Sequence, residues 1–461
     1  MFYKIIEWIR KVFKQRESAG EHTSTIVLDD KTIRYIDLWA KMYEDEAPWL
    51  AGKDCASAGL PAAIASELAR LTTIEMESEI TGSARADFLE SVYAKVLPKL
   101  RTQVEYACAL GGMIFKPYVS GGSIEVEFIQ ADRFVPTGFD SSGKLTACQF
   151  VEQISRGGKI YTRVESHEFD GKNCSIRNRA YQSTQKDLLG HEINLEDIAE
   201  WADLEPDTVI KNVPGVLFSY FRIPQANNKN RQSPFGVSVY SKAESLIKSA
   251  DEQWERIGWE YRGSELAIEV SESALKRSST GEPELPKKEE RLFRRYDLAN
   301  GINGKPLIEV FSPAIRDTSL FNGFNQILRR IEFACGLAYG TLSDVQDEDR
   351  TATEVIFSKQ RSYAFVSDIQ AALQAALEDL IRAMDLWADL YNLATAGDYD
   401  VSFRFDDSLI VDSATENQLM MQEATSGLIK KELYLMRRYG VGEDQAREML
   451  PDTVNSAQGE E

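Results

Sequence analysis

The sequence predicts an α+β fold, and three observations carry that prediction. From Met113 to about residue 185 apolar residues recur with a period of two. Gly121-Gly122, Ser142-Gly143, Gly157-Gly158 and Asp170-Gly171 interrupt them, which is the pattern of an antiparallel meander. Asp317 to Cys335 then carries Leu320, Phe321, Phe324, Ile327, Leu328, Ile331 and Cys335 at helical spacing and stops at Gly336, the usual residue for a left-handed helix end. A further helix opens at Thr351-Ala352-Thr353-Glu354, a capping box, and meets neither Gly nor Pro before Gly397. Roughly forty residues at 1.5 Å each span ~60 Å.

Met1 to Arg16 is basic and apolar at helical spacing but lacks a signal peptide's uninterrupted apolar core, so it reads as a helix on a membrane surface, on its own fold or on a neighbour. A short strand, Thr25 to Leu28, follows. Helical patterns cover Ile36 to Tyr43, Ala62 to Ile80 and Ala84 to Ala109. The meander contributes Met113 to Val119, Ser123 to Ile129, Leu145 to Ile154 and Lys159 to Glu165. Residues 186–232 are a connection rich in Asn and Pro with one strand, Gly215 to Phe221. Gly236 opens a helix with Val239, Ala243, Leu246, Ile247, Ala250, Trp254, Ile257 and Tyr261 on one stripe, closed by Gly263. A small mixed region spans 264–311. Strand Asp400 to Phe405 is expected to rejoin the meander. The capping box Ser413-Ala414-Thr415-Glu416 begins a last helical segment.

Charge narrows the function. Lys and Arg number 53 against 73 Asp and Glu, a formal charge of −20. A protein that grips DNA is normally basic, because it must neutralise phosphates, so this chain repels DNA on average. Such a balance argues against a sequence-specific DNA binder or nuclease and is compatible with a channel that lets DNA slide without sticking. No apolar run is long enough to span a membrane. Five cysteines at 55, 108, 148, 174 and 335 match no zinc spacing and read as reduced, mostly buried thiols. Gly138 to Lys144 has the G-x-x-x-x-G-K spacing of a phosphate loop, but Leu145 stands where Ser or Thr would ligate Mg²⁺, and a strand follows instead of a helix. A β-turn is the better reading. His22, His167 and His191 belong to no catalytic motif, and His191 lies in a polar connection where it reads as solvated. Asp344, Asp347, Glu348 and Asp349 lack EF-hand spacing and read as a solvated loop. No cofactor and no metal is implied.

Leu337-Ala338-Tyr339-Gly340-Thr341-Leu342-Ser343-Asp344 with Thr351-Ala352-Thr353-Glu354-Val355 resembles the tunnel-loop region of the portal proteins (head-to-tail connectors) of tailed bacteriophages. Further matches are Ser233-Pro234-Phe235-Gly236-Val237-Ser238-Val239-Tyr240, followed by a helix with Asp251 and Glu260, and Asp132 to Asp140 followed by Gly143 and Phe150-Val151-Glu152. Ala65 to Arg70 and Gly190 to Trp201 also fit. Together they cover most of 40–445 in the expected order.

The resemblance implies a portal-like subunit that assembles as a twelve-membered ring. Its parts would be an N-terminal wing of helices and antiparallel strands (1–235), stem helix one (236–263), a small α/β clip (264–311), stem helix two (312–336), a tunnel loop (337–350), the long wing helix with a returning strand (351–410) and a short helical crown with the tail (411–461). The ring would stand at one capsid vertex of the virion after assembly in the host bacterial cytoplasm, and pass double-stranded DNA without sequence specificity. Thr341, Leu342, Ser343, Asp344, Val345, Gln346, Asp347, Glu348 and Asp349 would face the DNA. Lys287, Lys288, Arg291, Arg294 and Arg295 of the clip would meet the terminase ATPase and a neck adaptor. Leu246, Ala250, Trp254, Ile257 and Tyr261 would pack subunits together. Major capsid and scaffolding proteins are the other implied partners, and no bond is made or broken. The alternatives are another phage head component, such as a minor head or neck protein, and more remotely a nuclease or ATPase, whose residues are missing.

Overall fold

The computed structural model describes residues 29–52, 57–185, 188–265, 267–271, 293–296, 308–311, 313–344, 352–405, 413–426, 428–439 and 442–450. Met1 to Arg16, Thr25 to Leu28 and Cys55 lie outside the described residues. By packing the chain forms two units, Met1–Ile74 with Glu79–Ser402 and Glu75–Ser78 with Phe403–Glu461.

Among the described residues before the first large sheet, the larger unit has four helices. These are α1 (Asp30–Tyr43), α2 (Leu60–Thr73), α3 (Ala84–Tyr93) and α4 (Leu97–Leu110). Asp29 caps α1, its Oδ1 accepting the Thr32 N–H at 2.8 Å. Pro61 and Pro98 stand in the first turns of α2 and α4, where a missing N–H costs nothing. Strands β2 (Gly112–Ser120), β3 (Ser123–Gln130) and β10 (Ser219–Arg222) form one antiparallel sheet, in the order β10-β2-β3. Strands β4 (Phe134–Phe139), β5 (Leu145–Arg156), β6 (Lys159–Phe169), β7 (Cys174–Ser183), β8 (His191–Ile193) and β9 (Asp207–Ile210) form a second, with both β8 and β9 on β7. The helices α5 (Glu244–Gly263) and α6 (Asp317–Cys335) flank a small sheet in which β11 (Ala267–Ser271) runs parallel to β12 (Phe293–Tyr296) and antiparallel to β13 (Ile308–Phe311). Helix α7 (Ala352–Leu390) is 39 residues long.

Burial explains the arrangement. Ile36 and Trp39 of α1, Ile64 and Leu68 of α2, Val104 and Cys108 of α4, Ile114 and Phe115 of β2, and Leu373, Leu377 and Leu380 of α7 are all shielded from solvent. Gly111 ends α4 at φ +96°, and a Cβ there would lie 2.7 Å from the Val237 backbone. Gly236 passes so closely over the same corner that its own Cβ would overlap the Gly111 carbonyl. Only glycine fits either place.

Five expectations are corrected. The pattern from Ala62 to Ile80 is helical only as far as Thr73; β1 (Met76–Gly82) follows, with Ile80 buried between exposed neighbours. Ala84 to Ala109 is two helices, because Pro98 has no N–H to donate to the Ala94 carbonyl and so stands in the first turn of a new helix. Gly236 opens no helix. Residues 236–243 are a buried crossing whose Tyr240 hydroxyl donates to the Trp39 carbonyl at 2.9 Å, and α5 starts at Glu244. Strand β14 (Tyr399–Phe405) pairs β1 and does not rejoin the meander. The meander itself divides between two sheets, with β2 and β3 in one and β5 and β6 in the other.

The second unit takes in Glu75–Ser78 and Phe403 onward, with Arg404 and Glu77 3.6 Å apart across β14 and β1. It continues through α8 (Ser413–Ser426), α9 (Lys431–Tyr439) and α10 (Glu443–Glu448).

Candidate functional site

Helices α5 and α6 pack against each other, and the contacts between them are named side chains. Arg316, at the N-cap of α6, donates twice to Glu260, Nε to Oε1 at 3.0 Å and Nη2 to Oε2 at 2.8 Å. Those hydrogen bonds hold the Glu260 carboxyl below its ordinary pKa against the opposing effect of burial. Gln253 donates to the Leu320 carbonyl at 3.4 Å, and the Trp254 and Phe324 rings lie 5.5 Å apart. Two other carboxylates of α5 point back into the body. Trp39 Nε1 and Lys229 Nζ donate to Glu244 at 2.6 and 2.7 Å. Trp49 Nε1 and the Ala58 N–H donate to Asp251 at 2.8 and 2.9 Å. Glu244 and Asp251 stand seven residues apart, two helical turns, so one side of α5 is pinned to the first segment of the chain.

The five stripe residues separate. Ala250 and Ile257 are covered by their own chain and Leu246 is half-buried, whereas Trp254 is 38% exposed and Tyr261 42%. Trp259, at 62%, is more exposed than either, and Phe321 and Phe333 of α6 are open as well. Along α7, Val366, Ile369, Leu373, Leu377, Leu380 and Met384 are interior and Trp387 packs against the Cys174, Val213 and Leu217 cluster, while Tyr391, just past its end, is exposed.

Leu337 to Ser343 are held against the helices, while Asp344, the one acid of the expected acidic loop among the described residues, is exposed. Gly336 (φ +74°) turns the chain beneath Phe365, and Leu337 is fully buried. Arg361 of α7 donates to the Leu337 carbonyl at 3.0 Å and lies over the Phe333 and Tyr339 rings. Glu332, wholly buried in the last turn of α6, accepts three backbone N–H groups at Oε1: Gly340 at 3.0 Å, Leu342 at 2.7 Å and Ser343 at 2.9 Å. Its Oε2 accepts the Ser343 hydroxyl at 2.8 Å. Asn325 brackets Asp344, accepting its N–H at 2.8 Å and donating to its carbonyl at 3.2 Å. Thr341 and Asp344 are exposed, Leu342 is half-buried and Ser343 is buried. Val345, Gln346, Asp347, Glu348 and Asp349 lie outside the described residues, as do Lys287, Lys288 and Arg291. Arg294 and Arg295 stand in β12 opposite Glu269 and Val270. Glu332 escaped sequence reasoning because its donors are backbone amides. The one available signal was an acid inside the apolar face formed by Leu328, Ile331 and Cys335.

A second polar feature joins the two large sheets. Lys116 of β2 donates to Glu165 of β6 at 2.6 Å, and both are nearly buried. Arg163 approaches the same carboxylate at 3.2 Å, and His167 Nε2 at 2.7 Å. Burial alone would raise the Glu165 pKa; Lys116, His167 and Arg163 together hold it well below the usual carboxylate range.

Gly138 to Lys144 is the end of β4 and the turn into β5. Asp140 Oδ1 accepts the N–H groups of Ser142 and Lys144 at 2.8 and 2.9 Å, and Gly143 takes φ +83°. Cys108, Cys148, Cys174 and Cys335 are free and buried. His191 is exposed in β8, while His167 is not solvated at all. Among the described residues no group of three or more His, Cys, Asp and Glu converges as a metal site, and no helix is long and apolar enough to cross a membrane.

Comparison with known proteins adds two findings. The family model described as "Phage portal protein, SPP1 Gp6-like" matches residues 99–453, well over half of the chain. Among solved structures, a chain of "Neck of native GTA particle computed with C12 symmetry" superposes with a TM-score of 0.42 at 12% identity, over 84% of this chain and 91% of that one. No curated protein matches by sequence.

Proposed function

The chain belongs to the phage portal protein family, SPP1 Gp6-like, and on that premise we propose that it is the portal subunit of a tailed phage. Copies close into a ring, twelve in number, at one vertex of the capsid. Double-stranded DNA enters through the ring during packaging and leaves through it during infection. The chain makes and breaks no covalent bond; the motor that hydrolyses ATP is a separate terminase. The three-stranded sheet between α5 and α6 is proposed as the clip that terminase, and later a neck adaptor, would contact, with Arg294 and Arg295 of β12 and the preceding Lys287, Lys288 and Arg291 as the proposed contact residues. Major capsid and scaffolding proteins meet the outer part of the ring, which assembles in the bacterial cytoplasm.

One observation carries the reading. The family match runs unbroken through α5, the small sheet, α6, the segment after it and α7, an order that supports a stalk with a tip rather than a substrate pocket. The acidic stretch from Asp344 to Asp349 is proposed to face the bore. Repeated in every subunit, those carboxylates repel phosphates and let DNA slide. Exposed Trp254, Trp259 and Tyr261 on α5 supply apolar area for the neighbouring copy.

Electron microscopy of the purified chain tests the proposal. Rings with a central hole are expected. Monodisperse monomers at every concentration and ionic strength would end it.

A further inference from the structure

Glu332 is a buried carboxylate with an unusual set of partners. Every hydrogen bond its side chain makes among the described residues comes from Gly340, Leu342 and Ser343, and no lysine or arginine pairs with it there. The helix around it does not need those bonds, since Leu328, Ile331 and Cys335 already hold that turn of α6 in the interior. From Ala338 to Asp344 only Ser343 is buried; Leu342 is half-buried and the Tyr339 ring lies under Arg361 of α7. The polar contacts between α6 and residues 340–344, among the described residues, occur at two points. Glu332 is the inner one, shielded from water; Asn325, bracketing Asp344, is the outer one, open to it.

We infer that Glu332 is a positioning residue that acts as a latch, holding Gly340–Ser343 in one of two states, seated on α6 or released from it. Three amides converge on one oxygen, so they cannot be lost one at a time: moving Leu342 displaces the donors on either side. Release is therefore concerted. It also leaves a carboxylate whose only remedy is water, which drives the segment back. Gly340, at φ +90°, gives the backbone the turn that brings its own amide and those of Leu342 and Ser343 to the same acceptor. The latch stands on contacts within one subunit. Its consequence for DNA passage rests on the portal reading.

Hydrogen exchange on the assembled protein reads the latch directly. Glu332→Gln removes the charge while keeping the shape, so exchange at Gly340, Leu342 and Ser343 should accelerate on the order of tenfold, a charge-assisted bond being roughly twice as strong as a neutral one. Amides of α5 and of β5 to β7 should keep their rates. Glu332→Asp, which retains charge but falls short by one methylene, should lie between. Should Glu332→Gln fail to assemble, Asn325→Ala at the exposed end keeps the question open and should raise the same rates a few-fold. Unchanged exchange in either variant, or a rise spread evenly over α6 and α7, would overturn the latch. Nuclease-protected DNA in particles built with Glu332→Gln is the separate arm. Fast exchange with normal DNA retention keeps the latch and removes the segment from the proposed channel.

Discussion

Between β2 and β6 the chain places Lys116, Glu165 and His167 in its interior and closes apolar groups over them, whereas along α5 and α6 it leaves the rings of Trp254, Trp259, Tyr261, Phe321 and Phe333 open to solvent. The first region is complete within one copy. Each charge meets an opposite charge, the Lys116 ammonium lies over the Phe150 ring at 4.8 Å, and Phe150 and Phe218 pack edge-on against His167. The second region is incomplete, because helices of a lone soluble subunit gain nothing by exposing aromatic area. The same chain thus holds a self-sufficient body and an exposed aromatic surface, which in the proposed ring would meet another copy.

The sharpest way to break the body is to remove one partner of its buried pair. Glu165→Leu leaves the Lys116 ammonium with Glu127 at 3.7 Å as its remaining ion partner among the described residues. The expected loss is about 3–5 kcal/mol of stability, read as a fall in urea midpoint. Lys116→Met combined with Glu165→Leu should recover much of it, since no buried charge is then orphaned while Arg163 keeps Glu152 at 2.9 Å. A double variant no better than the single would mean that the pair does more than cancel itself.

The helical pair should respond differently, in assembly rather than in folding. Trp259→Glu alters a side chain 62% exposed, so subunits should fold normally, by circular dichroism, and give species smaller than the ring in light scattering. Trp254→Glu should also reduce assembly, but it disturbs the Phe324 contact at 5.5 Å and so should cost stability as well. Rings unchanged by Trp259→Glu would place that residue away from the neighbour and weaken the contrast.

Acid should act on the body through Glu165. Its pKa in the folded chain lies below the value in the unfolded chain, so it stabilises the fold above the ordinary carboxylate range, near 4.3, and that stabilisation fades as pH falls through this range toward the folded value. Melting temperature should therefore be flat from about pH 7 to 5 and then drop. Glu165→Gln should flatten the acid limb. If the limb is unaltered, other carboxylates control acid unfolding.

How much of this could be read from the sequence depended on whether the cause was local. The limits of α6, Asp317 and Cys335, were legible because Gly336 ends the helix and the apolar spacing is regular. Strand β1 was not: Met76 to Gly82 is short, follows the helical pattern of α2, and becomes a strand by pairing with β14, more than three hundred residues away. Residues 236–243 read as helical because Val239 and Ala243 fall on the α5 stripe, yet the close approach of Gly236 to Gly111 forces a crossing there. At the candidate site the stripe on α5 was visible, but not its division, since Ala250 and Ile257 are covered by elements remote in sequence. The Lys116–Glu165 pair shares that cause, its members lying 49 residues apart, whereas the donors to Glu332 are near in sequence and were hidden because most are backbone amides.

A smaller effect is expected where the acidic stretch is neutralised. Changing Asp344, Asp347, Glu348 and Asp349 to Asn or Gln should leave rings intact, because Asp344 is held through its backbone by Asn325 and its side chain is exposed. Less negative charge in the proposed bore should raise friction with phosphates, more so at low salt. Nuclease-protected DNA measured at two ionic strengths checks this; equal packaging and retention at both would remove the stretch from the channel.

The smallest effect is expected at Lys144, and it tests whether the body is as inert chemically as its packing suggests. The G-x-x-x-x-G-K spacing from Gly138 invites a nucleotide reading, and a cavity of about 210 Å³ adjoins it, lined in part by Lys144, Phe169, Phe218 and Arg382. Both cations at that cavity are already engaged. Lys144 Nζ lies 2.8 Å and Arg382 Nη1 2.5 Å from the Asp379 carboxylate of α7, so a phosphate would have to displace an acid held by two partners. The turn also points no helix N-terminus at the cavity, since β5 follows it directly. Lys144 is half exposed, and exposed pairs contribute little. Lys144→Ala should therefore lower stability by less than about 1 kcal/mol, leave rings and DNA packaging unchanged, and give purified protein that hydrolyses no more ATP than the parent, which should hydrolyse none. A packaging defect in well-folded Lys144→Ala rings would show that this turn handles a phosphate after all, and that the body is not the passive half of the comparison.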